Sequence, residues 1–370
     1  MALIIILSVF NGLEDLLRSL YGSFDPQIKI EYAQGKSFEI SDSLFSEIKS
    51  IEGIQEVVRV IEDNAYVKYN NSEQVIVLKG VSRNYLEVNK LASSISEGEM
   101  KLWENDVPFA VVGQGVQFSM GISPANDFFA LQVFYPRNLR STSLDPNRAL
   151  TKSNIKVAGV FAIERQFDEK YVLVPIEFAA DLLRYENRLT ALEVTTTTED
   201  PEATQQKLQA LLGPDFKVLN EDQQHAIMLR TVKIEKLFVF LTFAFIIGVS
   251  SINIFFALSM LALDKKKDVS MLFSMGATEK QIRRIFLAEG AIISLSGALV
   301  GLALGLIICV LQQQIGLVPM GLETSVVNYY PVKMEWQDFA SVALTIMAIT
   351  FLVSFRPAHL AAKFTGAEML

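Results

Sequence analysis

Residues 237–263 run for 27 positions without one ionisable side chain, and no other feature of this chain narrows its folding options as much. A helix rises about 1.5 Å per residue and the hydrocarbon of a bilayer is ~30 Å thick, so about 20 apolar residues cross it. Helices buried in soluble cores are rarely this long without a polar interruption. Residues 290–311 supply a second uncharged run of 22, and residues 339–355 a third of 17, bounded by Asp338 and Arg356. The third is short, but Arg356 can snorkel to the interface along its own methylenes. Residues 1–13 are also uncharged, yet 13 residues cover only roughly 20 Å. Without a basic n-region or an A-x-A-like cleavage site, this segment does not read as a signal peptide. It reads as the distal end of a span whose beginning lies outside the sequence, which makes four spans, the first truncated.

Charge divides the chain at about residue 230. Residues 1–230 carry 32 acids and 22 bases, a net of −10, whereas residues 231–370 carry 9 and 11, a net of +2. Basic residues in short loops set orientation. The loop 264–284 holds Lys265, Lys266, Lys267, Lys280, Arg283 and Arg284 against Asp264, Asp268 and Glu279, while the loop 312–338 holds one base, Lys333. The basic loop and the C-terminus are therefore expected in the cytoplasm and the acidic domain outside. Arg230, Lys233 and Lys236 lie on the outer side against this trend, but long translocated domains are largely exempt from it. The expected fold is an α-helical membrane protein with a large α+β extracytoplasmic domain between spans 1 and 2. In residues, 1–20 end span 1, 25–230 form the domain, and 221–263 form a stalk and span 2. The cytoplasmic loop takes 264–284, span 3 takes 285–313, an outer loop 314–336, span 4 337–356 and a cytoplasmic tail 357–370.

Within the domain, strand and helix signals alternate. Residues 27–32 and 55–60 alternate apolar and polar side chains as half-buried strands do, around a helix 42–51 that Ser41 can cap. Asn70 and Asn71 suit a hairpin turn between strands 65–69 and 74–78. The plan recurs as strand 192–197, a helix 201–212 opened by Pro201, and strand 216–219 after Gly213 and Pro214, which suggests an internal structural repeat. Residues 109–116, 129–135, 155–163 and 171–174 read as strands of a mostly β subdomain inserted at about 81–175. The stretch 136–154 joins two of them and carries Arg137, Arg140, Arg148 and Lys152 against Asp145. It reads either as a solvated loop or as a hairpin whose cations meet an acidic partner.

The cytoplasmic loop has the most specific local pattern. Lys265, Lys266 and Lys267 open a short helix that places Val269, Leu272, Phe273 and Met275 on one apolar side. Gly276 can end it in a left-handed conformation, and Thr278 with Gln281 can box the start of the next helix. Such a helix either transmits force from a cytoplasmic partner or merely anchors the loop. Gly297, Gly301 and Gly305 form a stripe on span 3, favoured as a packing surface for a neighbouring helix over a substrate groove. Glu289 is an acid close to the hydrocarbon. Phe238, Phe240, Phe243 and Phe245 are read as lipid-facing packing rather than a cavity lining.

Catalytic signatures are absent from the sequence. It has no P-loop, no H-E-x-x-H and no G-x-S-x-G, and Gly113-Gln114-Gly115 reads as a strand-end turn without a following helix. Cys309 alone forms no disulfide framework and is read as an apolar filler, His225 reads as a surface residue, and a net charge of −8 argues against nucleic acid. No cofactor or metal is expected, and the chain is not expected to be an enzyme.

The run from Asp264 through Lys265, Lys266, Lys267, Asp268, Val269 and Leu272 to Gly276, Ala277 and Thr278 resembles the coupling-helix segment of the FtsX/MacB superfamily of ABC-transporter permeases. That segment usually reads Glu-Lys-Arg-x-Asp-Ile-Ala-Ile-Leu-x-x-x-Gly-Ala. Residues 7–14, ending Asn11-Gly12-Leu13-Glu14, are similar to the end of the first span of the lipoprotein-releasing branch. Asn253-Ile254 falls where that branch carries an Asn-Ile pair, and residues 355–362 resemble its Tyr-Pro-x-x-Arg-Ala-Ala ending. Asp264 in place of Glu, Phe273 in place of a residue often basic, and Gly366 in place of Pro depart from the pattern. The resemblance implies a four-span permease in a bacterial inner membrane, with a periplasmic domain of porter-like and β subdomains. It implies a second permease copy or paralogue and a separate ATPase coupled through residues 264–277. It also implies acylated lipoprotein cargo, and a periplasmic carrier hooked by Pro136, Arg137, Arg140, Pro146, Arg148 and Lys152. Two other functions fit the residues: export of another amphiphile or control of a cell-wall hydrolase by the same architecture, and a membrane-anchored receptor without transport.

Overall fold

The computed structural model describes residues 1–22, 24–88, 90–126, 129–136, 150–197, 201–320 and 329–361. They form two compact units, one of Leu17–Ala226 and one of Met1–Leu16 with Ile227–Leu370.

Alternation of side chains organises the first unit. Its described strands are β1 (Ile28–Tyr32), β2 (Phe38–Glu39), β3 (Ile54–Tyr69), β4 (Ser72–Val81), β5 (Ile95–Gly98), β6 (Trp103–Glu104), β7 (Val107–Gly113), β8 (Leu131–Pro136), β9 (Leu150–Phe161), β10 (Tyr171–Pro175), β11 (Arg188–Leu189), β12 (Ala191–Thr196) and β13 (Phe216–Asn220). Four of them lie in the order β13-β1-β12-β3, every neighbour antiparallel. The helix Asp42–Lys49 connects β1 to β3 and the helix Pro201–Leu212 connects β12 to β13. Each β-α-β crossover therefore encloses a strand of the other, the interleaved split arrangement of a ferredoxin-like fold. The internal repeat expected from the pattern is this pair. Ser41 caps the first helix, accepting from the Leu44 amide at 3.3 Å. Ile28, Ile30, Val57, Leu192 and Val194 face these helices, packing with Ile48, Leu208 and Leu212. Val58, Val60 and Ala191 face the other side, under Tyr21, Phe24 and Tyr85.

The long strand β3 serves two structures at once. Its first half pairs with β12, and its second half pairs with β4 (Ser72–Val81) through the two-residue turn Asn70-Asn71, where Asn70 takes φ 52°. Sequence periodicity reads this strand as two, 55–60 and 65–69, because polar Glu62, Asp63 and Asn64 interrupt it. The ladder continues through β10 (Tyr171–Pro175), β7 (Val107–Gly113), β9 (Leu150–Phe161) and β8 (Leu131–Pro136), and β8 returns to Tyr66–Lys68 of β3. Six strands thus close into a barrel continuous with the ferredoxin-like sheet. A helix, Gln114–Met120, does follow β7, contrary to the reading of Gly113-Gln114-Gly115 as a turn without one. A Cβ on Gly113 would lie 2.3 Å from the Asp168 carbonyl, so this glycine is required for close approach of two backbones.

On the second sheet face Lys79 and Glu193, 1% and 4% exposed, pair at 2.8 Å. Burial alone would lower the Lys79 pKa, but Glu193, with Tyr85, Glu62 and Asp25, outweighs it and holds the ammonium well above its usual value. Its Nζ also sits 4.5 Å above the Phe24 ring.

Among the described residues, three helices are long and apolar enough to cross a membrane: residues 226–264, Glu279–Ile315 and Trp336–Ala361. The first of these has a one-residue break at Ser251, so it is built of Ala226–Ser250 and Ile252–Asp264. Glu221–Gln224 ends at His225, before Ala226 begins the long helix. Residues 2–13 belong to the 20-residue helix Ala2–Tyr21, which begins in the second unit and ends in the first.

Replacing Lys79 by Met alone is expected to destabilise the unit Leu17–Ala226 by about 3–5 kcal/mol, because Glu193 is left buried and unpaired. Replacing both, as Lys79→Met with Glu193→Leu, should recover most of that loss. Urea unfolding of the two variants checks it; equal losses would mean that the pair is not the source.

Candidate functional site

The loop between the first two long helices folds as the helix Lys266–Ser274. Val269 is buried and, with Phe273 and Ala277, packs against Ala262, Ile282, Phe286, Ala358 and Ala361. These partners come from all three long helices, so the loop helix is seated on their common end. Gly276 adopts φ 93°, and the Gln281 side chain accepts from the Thr278 amide at 2.7 Å, so both chain reversals expected here form. The apolar residues do not share one side as the spacing suggested. Val269 and Phe273, four apart, face inward, whereas Leu272 is 37% exposed, Met271 63% and Met275 78%. Lys265 donates to Asp268 at 3.0 Å on the exposed side. The hydrogen bond from Lys265 to Asp268, and its charge, hold the lysine above its ordinary pKa. The loop helix thus has an anchored face and an exposed apolar face bordered by cations.

Of the hairpin residues, Pro136 ends β8, opposite Leu150, and Lys152 lies on β9 opposite Phe134, its Nζ 5.5 Å from that ring. Arg137, Arg140, Pro146 and Arg148 lie outside the described residues. The base of this ladder is tied to the barrel by Asp63, which is 6% exposed. Its carboxylate accepts from Lys36 at 2.5 Å, Tyr135 at 2.8 Å, Tyr185 at 3.0 Å and the Asn64 amide at 2.7 Å. Burial alone would raise the Asp63 pKa; the bonds from Lys36, Tyr135 and Tyr185 outweigh it and hold the group below the usual carboxylate range. Burial, then Asp63, pushes the Tyr135 hydroxyl up to about 12.

The glycine stripe divides by position. A Cβ on Gly305 would meet Ile4 at 2.7 Å, and one on Gly301 the Met1 nitrogen at 3.3 Å, so both back onto the start of the helix Ala2–Tyr21. Gly297 has nothing within 4 Å of such a Cβ, and Gly297, Gly301 and Phe243 all line an apolar cavity of about 450 Å³.

Sequence reading passed over two clusters. At the end of the long helices away from the loop helix, Lys236 donates to Asn11 at 2.6 Å and pairs with Asp338 at 3.2 Å, and Asn11 donates to Asp338 at 2.7 Å. Three helices meet on this one network. Its signal was present, since Lys236 and Asp338 are the charges that bound two of the uncharged runs. His225 is the second case. It is not a free surface residue: its ring stacks on Tyr21 at 3.8 Å and its Nε2 lies 2.8 Å from Asp25. Nothing local in the sequence signals a partner 200 positions away.

Family models and relatives agree on what surrounds these clusters. An FtsX-like permease C-terminal model matches residues 240–365, and a MacB-like periplasmic core domain model matches residues 1–211. The chain is 23% identical to the lipoprotein-releasing system transmembrane protein LolE of Haemophilus influenzae, over 100% of this chain and 90% of that protein. It is also 23% identical to LolC of Buchnera aphidicola, over 99% and 89%. An uncharacterised ABC transporter permease of Methanocaldococcus jannaschii is 22% identical over 87% and 77%. The crystal structure of the periplasmic region of MacB from Actinobacillus actinomycetemcomitans aligns with 58% of this chain and 97% of that one, at 14% identity and a TM-score of 0.39.

Asp63→Asn is expected to cost the unit Leu17–Ala226 about 1–3 kcal/mol at pH 7, since Lys36 loses its charged acceptor. Because the folded pKa is depressed, the stabilisation is complete above the unfolded value of about 4 and fades as pH falls through the folded value. Thermal melts at stepped pH should show the wild-type advantage shrinking only under acid; an advantage constant with pH would contradict the assignment.

Proposed function

The chain belongs to the FtsX/MacB family of ABC-transporter permeases, and on that premise we propose that it serves a complex releasing lipoproteins from a bacterial inner membrane. In this reading it is the membrane subunit, paired with a second copy or a paralogue and driven by a separate ATPase. The unit Leu17–Ala226 stands in the periplasm as the soluble unit, and the helix Ala2–Tyr21 contributes a fourth membrane segment beside the three long helices. The two-faced loop helix is the observation that carries the reading. Motion of an ATPase bound to Met271, Leu272 and Met275 passes through Val269 and Phe273 into the ends of all three long helices. Lys265, Lys266, Lys267 and Asp268 set the charge register of that docking, and Gly276 and Ala277 hold the turn that follows it.

Cargo is the finer part of the proposal. Near full-length similarity to proteins named for lipoprotein release supports an acylated cargo. The basic stretch joining β8 and β9 supports a hook for a soluble carrier, with Arg137, Arg140, Arg148 and Lys152 as its cations and Pro136 and Pro146 limiting its conformations. Similarity to an uncharacterised permease of an archaeon favours a second reading, in which the same transmission moves another amphiphile.

Reconstitution with the ATPase tests both levels. Leu272→Asp should weaken ATPase binding at least about tenfold, or about 1.4 kcal/mol, by placing a charge in an apolar contact. Unchanged affinity would remove the loop helix from the interface. Labelled lipoprotein should leave proteoliposomes only with ATP and carrier together, and deletion of residues 137–149 should abolish release while ATP hydrolysis continues. Release that survives the deletion refutes the hook.

A further inference from the structure

The chain passes between its two units twice, at residues 16–17 and 226–227. Any motion carried along the backbone from the membrane helices to the soluble unit uses these two crossings. If they moved independently, one could slide past the other and the soluble unit would rock without being driven.

Just inside the soluble unit, the two crossings are fastened to each other. Arg18 forms an ion pair with Asp222. Three residues on, one helical turn later, the Tyr21 ring stacks on His225 with centroids 3.8 Å apart and planes within 10°. A carboxylate only accepts, so the His225 Nε2–H donates to Asp25, at 2.8 Å. Gln224 donates to the Pro26 carbonyl at 2.9 Å. The first segment is itself rigid here, because the amides of Phe24 and Asp25 both donate to the Tyr21 carbonyl, and Tyr21 and Phe24 are buried in one apolar cluster. His225 occupies the break between the helices Glu221–Gln224 and Ala226–Ser250. At a break of this kind the chain can bend, and the side chain at the bend is the one held by the other segment.

We propose that Tyr21, Asp25 and His225, closed by the Arg18–Asp222 pair, form a clasp that makes the two crossings move as one body. The clasp positions the soluble unit to follow ATP-driven motion of the membrane helices. This deepens the reading of the chain as an ATP-coupled permease and rests on it. The clasp residues touch neither cargo nor nucleotide; they act through the two segments they join.

The assembled permease–ATPase complex in proteoliposomes gives two readouts: cargo released per ATP hydrolysed, and the change in hydrogen exchange of residues 25–220 when a non-hydrolysable ATP analogue binds. His225→Ala is expected to hydrolyse ATP like the wild type but to release roughly tenfold less cargo per ATP, equivalent to about 1.4 kcal/mol of lost coupling. The exchange response should vanish with it. His225→Gln, which keeps a donor for Asp25, should fall between the two. In a Cys309→Ala background, joining Arg18→Cys to Asp222→Cys with a short bismaleimide should restore coupling to His225→Ala. A wild-type ratio in His225→Ala overturns the clasp, as does a loss of hydrolysis and release together that the bridge does not repair. A wild type that responds in exchange but releases no lipoprotein refutes the cargo and leaves the clasp to be judged on exchange alone.

Discussion

A charge at the edge of hydrocarbon must find a partner, and in this protein one such partnership decides how the membrane helices stand. Lys236, Asn11 and Asp338 come from three helices and satisfy one another at 2.6–3.2 Å. An isolated ammonium or carboxylate in their place would cost several kcal/mol of desolvation. The network therefore fixes register as well as contact. Around it, Gly12 backs so closely onto Pro331 that a Cβ would lie 2.3 Å from its carbonyl oxygen, and the Lys333 amide donates to the Ser8 carbonyl at 2.9 Å. With one end of the helices held this way, the loop helix Lys266–Ser274 joins them through the apolar cluster around Val269. Helices tied at an ionic point and at an apolar seat form a body that can transmit displacement rather than absorb it.

The unit Leu17–Ala226 solves a related problem with backbone. Because β3 is shared between the ferredoxin-like sheet and the closed barrel, neither part can tilt without bending a 16-residue strand. The charges Glu62 and Asp63 that interrupt its apolar pattern are where it passes from one structure to the other. Asp63 also gathers Tyr135 and Tyr185, so the strand leading to the basic stretch is held by a buried ionic node rather than by ladder bonds alone.

Much of this was legible from local patterns. The long uncharged runs, the capped helix Asp42–Lys49, the Asn70-Asn71 turn, the proline-opened helix Pro201–Leu212 and the Gly276 reversal each depend on residues close in sequence. What escaped was long-range. Strand order β13-β1-β12-β3 brings residues 160 positions apart into register, and periodicity carries no such information. The loop helix was misread for a subtler reason. Its apolar residues span too wide an arc for one face, and only the positions of Ile282, Phe286, Ala358 and Ala361 reveal which of them turn inward. Lys236 and His225 were visible as residues but not as partners, since the acids that bind them are about 100 and 200 positions away.

In the proposed coupling, displacement at the loop helix reaches the barrel. Double electron–electron resonance between spin labels at Ser274 and Lys68, in the complex reconstituted with its ATPase, measures it directly. The account predicts a distance distribution that shifts when a non-hydrolysable ATP analogue binds and returns on its removal. A distribution that stays fixed while the analogue is bound and the ATPase remains attached would contradict it.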